Sequence, residues 1–355
     1  MIYYAAMSCL IAFLGICKKT SVKKIKWINI SIIIFLILFA GLRGDFTSDY
    51  NNYKKIYIEV SESTWREIFS FHFGQEIGFI CLTKILAIVF HSHVIYFTVL
   101  SALTILFLYI GLKDSVEHRY IWLSLLLFVG IGGYYDSFNV TRQLLSASIV
   151  FLGAKFLYNR NLIRYIIVIF FASLFHVTAL IMMPLYFLLN IDLNKKNIIC
   201  MSICMVGIIA CLPLLIEIVQ TIFPKYAHYT YGMSGGSWKF IVIPLAVFIL
   251  VVFNLYVLPH NEFNLKNNRN RIQINATIYC LFFSILTTQV FMLGRLVYFV
   301  QPFSYALLGN LCTLYKNKSD KQIVLFVLIC ICILYPIVIF SDTGYDPYYF
   351  FWETK

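Results

Sequence analysis

Trp27-Ile-Asn-Ile-Ser-Ile-Ile-Ile-Phe-Leu-Ile-Leu-Phe-Ala-Gly41 runs straight into Leu42-Arg-Gly-Asp-Phe-Thr-Ser-Asp-Tyr-Asn-Asn-Tyr53. An unbroken apolar run of this kind marks hydrocarbon, so the polar segment behind it sits at a membrane surface. That segment carries Arg43, Asp45, Asp49, Tyr50 and Tyr53. Arginine is costly beside hydrocarbon and calls for a partner. Its planar fork fits diphosphate and carboxylate. Tyrosine, apolar on its face and polar at its tip, fits a sugar.

The rest of the chain extends this reading. It is 61% hydrophobic and only 12% charged over 355 residues, with a mean hydropathy of +0.83. Soluble domains carry about twice that charge. The chain reads as an all-α polytopic integral membrane protein, one transmembrane domain over 1–355, with room for roughly ten to twelve spans. The net charge of +12 is no nucleic-acid signal, because the basic residues fall mostly in short loops between apolar runs. The ten cysteines lie in or beside apolar segments and form no paired Cys-x-x-Cys knuckles, which argues against zinc. Ile2 to Cys17 lacks a basic segment before it and has five lysines after it, so it reads as a first span rather than a cleaved signal.

Lysines and arginines assign the sides. Lys18 to Lys26, Lys113 with Arg119, Arg160 with Arg164, Lys195 with Lys196, Lys266 with Arg269 and Arg271, and Lys316 with Lys318 and Lys321 mark cytoplasmic loops. All six share one side only if two of the twelve apolar runs fail to cross once. Segment 77–90 is short and contains Lys84, so it is expected as an interfacial or re-entrant helix on the outer side. Segment 165–189 is interrupted at Ser173-Leu-Phe-His176 and is expected as a hairpin of two half-helices, with one long tilted helix as the alternative. That leaves about ten full spans. The polar loops 43–76 and 219–238 fall on the outer face.

Candidate chemistry gathers on that face. Thr141-Arg142-Gln143 opens a helix, whose free N–H groups and positive potential attract anions. The competing reading of Arg142 is a side chain snorkelling to the interface. His176, flanked by apolar residues, is either a general base near neutral pH or a structural imidazole bonded to a broken helix. Glu76 begins the 77–90 helix, where it is either a dipole partner or a rival base alongside Asp49. Gly294-Arg295 stands between two spans. No metal is called for, since Asp-x-x-x-Asp alone is a weak cation signal.

Four pieces in this order resemble the EpsG-type branch of the Wzy polysaccharide polymerases: Leu42 to Tyr53, Glu76-Ile-Gly-Phe79, Phe138-Asn-Val-Thr-Arg-Gln143 and Ala172-Ser-Leu-Phe-His-Val-Thr-Ala-Leu180. They are similar to that family's Arg-x-x-x-Gly-x-Asp-Tyr-x-x-Tyr loop, its Glu before a short helix, its Asn-x-x-Arg-Gln and its Ala-Ser-x-x-His-x-Ser-Ala. Thr47-Ser48 replaces the usual Gly-Thr, and Thr178 replaces a Ser but keeps a hydroxyl. The likeness is clearest over 43–190; beyond it lie only the span pattern, Arg295 and an aromatic tail.

The resemblance implies a glycosyltransferase of the inner membrane that joins undecaprenyl-diphosphate-linked oligosaccharide repeat units on the periplasmic or exterior face. Its product would be O-antigen, capsule or exopolysaccharide. Donor and acceptor, membrane lipid and a chain-length regulator protein are the implied partners, with no cofactor and no nucleic acid. The roles expected are proton transfer by His176, Asp49 or Glu76, diphosphate binding by Arg142, Arg43 and Arg295, and substrate binding by Asp45, Tyr50, Tyr53, Gln143, Tyr135 and Thr178. A lipid-linked oligosaccharide flippase and a single-transfer ligase are the alternatives, and the absence of repeated halves and midplane charges weighs against a transporter.

Overall fold

The computed structural model describes residues 2–16, 22–70, 73–222, 238–256, 266–315, 317–339 and 348–353. Among these every regular element is helical, and strand-type pairing is limited to one isolated bridge between Arg43 and Phe350. Lipid imposes this: a backbone without water must satisfy its own hydrogen bonds.

Among the described residues four helices are long and apolar enough to cross a membrane alone, namely His93–Ser115, Lys195–Leu214, Phe291–Leu311 and Lys318–Ile337. The pair His118–Gly130 and Gly133–Asn139, bent by 53°, is either a fifth, broken span or a re-entrant loop. Gly132 takes up the bend at φ +97°, a conformation closed to most side chains. The other apolar helices, such as Ile77–Phe90, Thr141–Leu152 and Leu162–Ser173, are shorter. The structure therefore establishes a polytopic helical membrane protein but not ten full crossings. The breaks at Gly132 and Gly153 divide runs that hydropathy reads as continuous.

Hydrogen bonds sort the helix ends into two groups. At one end the Ser115 carbonyl accepts from Asn310 (2.8 Å) and Gln273 (3.1 Å), and the Ser115 hydroxyl meets Tyr158 at 2.9 Å. Arg271 pairs with Asp192 there, and Asn275 donates to the carbonyls of Leu189 (2.9 Å) and Ile191 (2.8 Å). At the other end Tyr50 stacks on Phe97 with ring centres 4.3 Å apart, and Gln143 reaches the Arg295 carbonyl at 2.8 Å. Helix His93–Ser115, about 35 Å long at 1.5 Å per residue, joins the two ends.

This sorting accounts for the two unusual runs. Leu162–Ser173 climbs from the first end, the chain breaks at 174–176, and a 3-10 turn Val177–Ile181 with helix Met182–Leu189 returns. The rings of Tyr165 and Tyr186 lie 5.9 Å apart, so the two arms run side by side as a hairpin. Ile77–Phe90 packs along Tyr50–Glu62. Its Lys84 donates to the carbonyls of Ser61 (3.0 Å) and Ser63 (2.6 Å), capping that helix at its negative end. An apolar helix tolerates this lysine because the neighbour supplies the acceptors.

The 43–76 segment, expected as a polar loop, is largely helical. Tyr50–Glu62 buries Tyr50, Tyr53, Tyr57 and Val60 on one face, an amphipathic spacing. Trp65–Phe69 starts from a capping box of Thr64 and Glu67. The aromatic tail returns to the same end: Gly44 N–H donates to the Tyr349 carbonyl at 2.8 Å, and the Tyr348 hydroxyl to that of Phe39 at 2.6 Å. Most of the 219–238 loop lies outside the described residues.

Single cysteines at Asn159 and Lys195, in a background freed of native cysteine, are expected to react with an impermeant thiol reagent from one side of the membrane only. Cysteines at Ser48 and Glu353 should react from the other. A split between Asn159 and Lys195 would contradict the hairpin.

Candidate functional site

Glu76 begins helix Ile77–Phe90 but does not cap it. Its carboxylate reaches outward instead. Oε2 accepts from Arg142 Nη1 at 2.5 Å and Oε1 accepts from the Val177 N–H at 3.0 Å. One side chain thus ties the 77–90 helix, the first turn of helix Thr141–Leu152 and the apex of the hairpin. About a fifth of each side chain in the pair stays exposed, 20% for both Arg142 and Glu76. The Arg142 guanidinium also lies 5.5 Å from the Phe79 ring centre, and its Nε has no hydrogen-bond partner. Its backbone N–H, one of those the helix leaves unpaired, points at the Tyr53 hydroxyl 3.5 Å away. This is a cationic seat at a helix N-terminus, filled by a carboxylate from the same chain.

The hairpin apex lies alongside. Ser146 donates to the Ala172 carbonyl at 2.8 Å, and Phe79 N–H to that of Leu174 at 3.2 Å, so both neighbours hold the break. His176 is extended there at φ −159° and turns its Nδ1 towards Thr178, with the hydroxyl at 2.7 Å and the backbone nitrogen at 3.4 Å. Gln143 Nε2 bridges the Thr178 hydroxyl (3.4 Å) and the Arg295 carbonyl (2.8 Å). Burial holds the His176 imidazole down to about 4, with Arg142 and Arg295 adding to the effect and Glu76 opposing it. The ring is neutral at ordinary pH.

Seven of the residues singled out by sequence therefore converge: Glu76, Arg142, Gln143, His176, Thr178, Arg295 and Tyr53. Others serve the scaffold. Arg43 is 1% exposed. Its guanidinium donates to the carbonyls of Ala40 (2.5 Å) and Phe138 (3.1 Å) and packs 4.9 Å from the Phe97 ring centre. No face of it is open to a diphosphate. Tyr135 is fully buried with its hydroxyl 3.8 Å from the Met7 sulfur, and Tyr50 stacks on Phe97. Asp45 accepts from the Tyr349 hydroxyl. Asp49 stands at the edge, its backbone N–H bonded to Asn139 Oδ1 at 3.0 Å. Sequence reasoning did not place Phe79, Asn139 or Ser146, although the first two stand inside the motifs quoted above. Among the described residues no cluster of three or more His, Cys, Asp or Glu side chains is placed to hold a metal ion.

The model of the EpsG family matches residues 26–352, which include every residue of this cluster. The chain belongs to the EpsG family. No curated protein and no solved structure matches it. Membership, with the apolar helices, makes it a membrane protein of polysaccharide biosynthesis, a polymerase or a related membrane enzyme.

Two predictions follow the two arginines and the histidine. Arg43→Ala strips two charge-assisted bonds from buried carbonyls and should cost roughly 3 kcal/mol or more. Thermal unfolding in detergent should show it well below Arg142→Ala, whose site is part-open; equal losses would contradict the scaffold role. For His176, the unfolded ring takes a proton below about pH 6.5, whereas the folded ring resists until about 4. The unfolded state then binds more protons across that window, so stability falls as pH drops through it. His176→Gln should flatten that fall in melting temperature; an unchanged slope would contradict it.

Proposed function

We propose that this EpsG-family chain polymerises oligosaccharide repeat units carried on polyprenyl diphosphate. The single observation behind the reading is Arg142 at a helix N-terminus with Glu76 paired to its Nη1. The reaction's leaving group is a diphosphate with two or three negative charges. It needs cationic donors fixed in advance at a membrane surface, and no nucleotide-binding domain. The Glu76 carboxylate occupies the seat while the site is empty. A diphosphate, carrying more charge, takes over Arg142 and frees the carboxylate.

The chemistry balances with these groups alone. The bond from the anomeric carbon to the diphosphate oxygen breaks and its electron pair leaves with the polyprenyl diphosphate. The acceptor hydroxyl oxygen bonds to that carbon, and its proton goes to a base, for which Glu76 and His176 are the two candidates. Arg295 adds positive charge on the hairpin side. Tyr53 and Phe79 offer the aromatic surface a sugar ring uses. Arg43, Tyr50 and Tyr135 hold the platform.

The site end is assigned to the outer face of the inner membrane. The opposite end carries Lys113, Arg119, Arg160, Arg164, Lys195 and Lys196 in its loops, the pattern of a cytoplasmic side. An undecaprenyl carrier and an O-antigen, capsule or exopolysaccharide product fit this placement.

In a host deleted for the gene, the wild-type chain should restore a ladder of glycan lengths. Arg142→Ala and Arg142→Lys should each leave single repeat units on lipid, with turnover reduced roughly 10²–10³-fold, at unchanged protein abundance. Lysine keeps the charge but loses the fork. A full ladder from Arg142→Lys would sink the diphosphate role.

A further inference from the structure

The hydrogen bonds around His176 fix where its proton sits. The Arg295 carbonyl oxygen is an acceptor and nothing else, so the Gln143 atom 2.8 Å from it must be the amide nitrogen. The opposite orientation would set two carbonyl oxygens against each other. Gln143 is only 2% exposed, so water cannot relieve that conflict. The same nitrogen lies 3.4 Å from the Thr178 hydroxyl oxygen, which therefore accepts from it. The hydroxyl has one proton of its own, and its other near neighbour is His176 Nδ1 at 2.7 Å. The Thr178 backbone N–H points at the same ring nitrogen from 3.4 Å. A ring nitrogen that accepts from a backbone N–H carries no proton, and the Thr178 hydroxyl then turns its own proton to the same nitrogen. A neutral imidazole must then hold its proton on Nε2.

We infer that Thr178 holds His176 in its Nε2–H form, so that His176 donates a hydrogen bond to an anionic oxygen of the substrate diphosphate and the acceptor's proton goes to Glu76. This rests on the diphosphate reading above. The Nδ1 lone pair is covered by Thr178, and Nε2 has none to offer, so neither ring nitrogen can take a proton from an acceptor hydroxyl. Moving the proton to Nδ1 would set it against the Thr178 backbone N–H and leave that donor without its acceptor. Burial keeps the ring neutral, which the argument requires. The surroundings suit a donor: Arg142 and Arg295 both bear on the ring electrostatically, and Val177, the next residue, donates to Glu76. An anion bound at Arg142 would meet a third positive hydrogen here. Thr178 is then a positioning residue, whereas sequence alone placed it on substrate. The step needs no further reactant: His176 keeps its proton throughout, and only the acceptor proton moves.

Two measurements test this. The first is nitrogen NMR of the full-length protein in nanodiscs with ¹⁵N-labelled histidine, near neutral pH. The His176 signals among the seven histidines are found by difference from His176→Gln. Protonated Nε2 with bare Nδ1 is expected, with the share of Nδ1–H rising in Thr178→Val, which removes the hydroxyl donor. A wild-type ring protonated on Nδ1, or on both nitrogens, overturns the inference. The second is glycan length at matched abundance. Glutamine can place an N–H where Nε2–H stood, so His176→Gln should stay within about tenfold of wild type, while His176→Leu loses roughly 10²-fold. Glu76→Gln should lose roughly 10²–10⁴-fold. If His176→Gln is as inactive as His176→Leu while Glu76→Gln makes near-normal polymer, the base is His176 and the inference fails. A wild-type chain that extends no glycan would instead overturn the proposed function, and the NMR signal, which needs no substrate, tells the two failures apart.

Discussion

The Glu76 carboxylate is where three separate pieces of chain meet. It joins the start of a surface helix, the first turn of the helix bearing Arg142 and the apex of a hairpin 101 residues further on. Its worth lies in placement more than in stability. Two opposite charges about 4 Å apart near a protein surface attract by roughly 4 kcal/mol, but each ion loses several kcal/mol of hydration on entering a partly dry site. The net is small. A pair that stabilises little can be opened cheaply by a ligand of higher charge, as the proposed exchange with a diphosphate requires.

Arg43 and Arg142 show how similar contexts lead to opposite uses. Each stands beside an apolar run on the same end of the molecule. Arg43 follows its helix and finds the carbonyls of Ala40 and Phe138 within reach, roofed by Phe97. It becomes a rivet between the first motif and the 133–139 turn. Arg142 begins its helix, where the backbone presents N–H groups and no carbonyls, so its charge faces a carboxylate and the open site. The end of the helix an arginine occupies decides whether it is spent on backbone or left for an anion.

This is also why some of the site was legible in sequence and some was not. Local signals carried through. Ser173-Leu-Phe-His176 does interrupt the 165–189 run, Glu76 does open the short helix, and Thr141-Arg142-Gln143 does begin its own. What depends on distant partners did not carry through. The burial of Arg43 needs Phe138, 95 residues away, and Asp45 is engaged by Tyr349 from the far end of the chain. Tyr50 and Tyr135 share the composition of sugar-binding residues, but Phe97 and Met7 claim them for the interior. The breaks at Gly132 and Gly153 were hidden for a related reason: hydropathy counts apolar residues, while these breaks are set by backbone geometry and packing.

Reconstitution is the most direct check on the central claim. The purified protein is placed in liposomes with a synthetic oligosaccharide repeat on polyprenyl diphosphate, and the products are read by mass spectrometry. The account predicts glycans at whole multiples of the repeat, with one polyprenyl diphosphate released for each new bond. Substrate that crosses the bilayer but is never lengthened would contradict it.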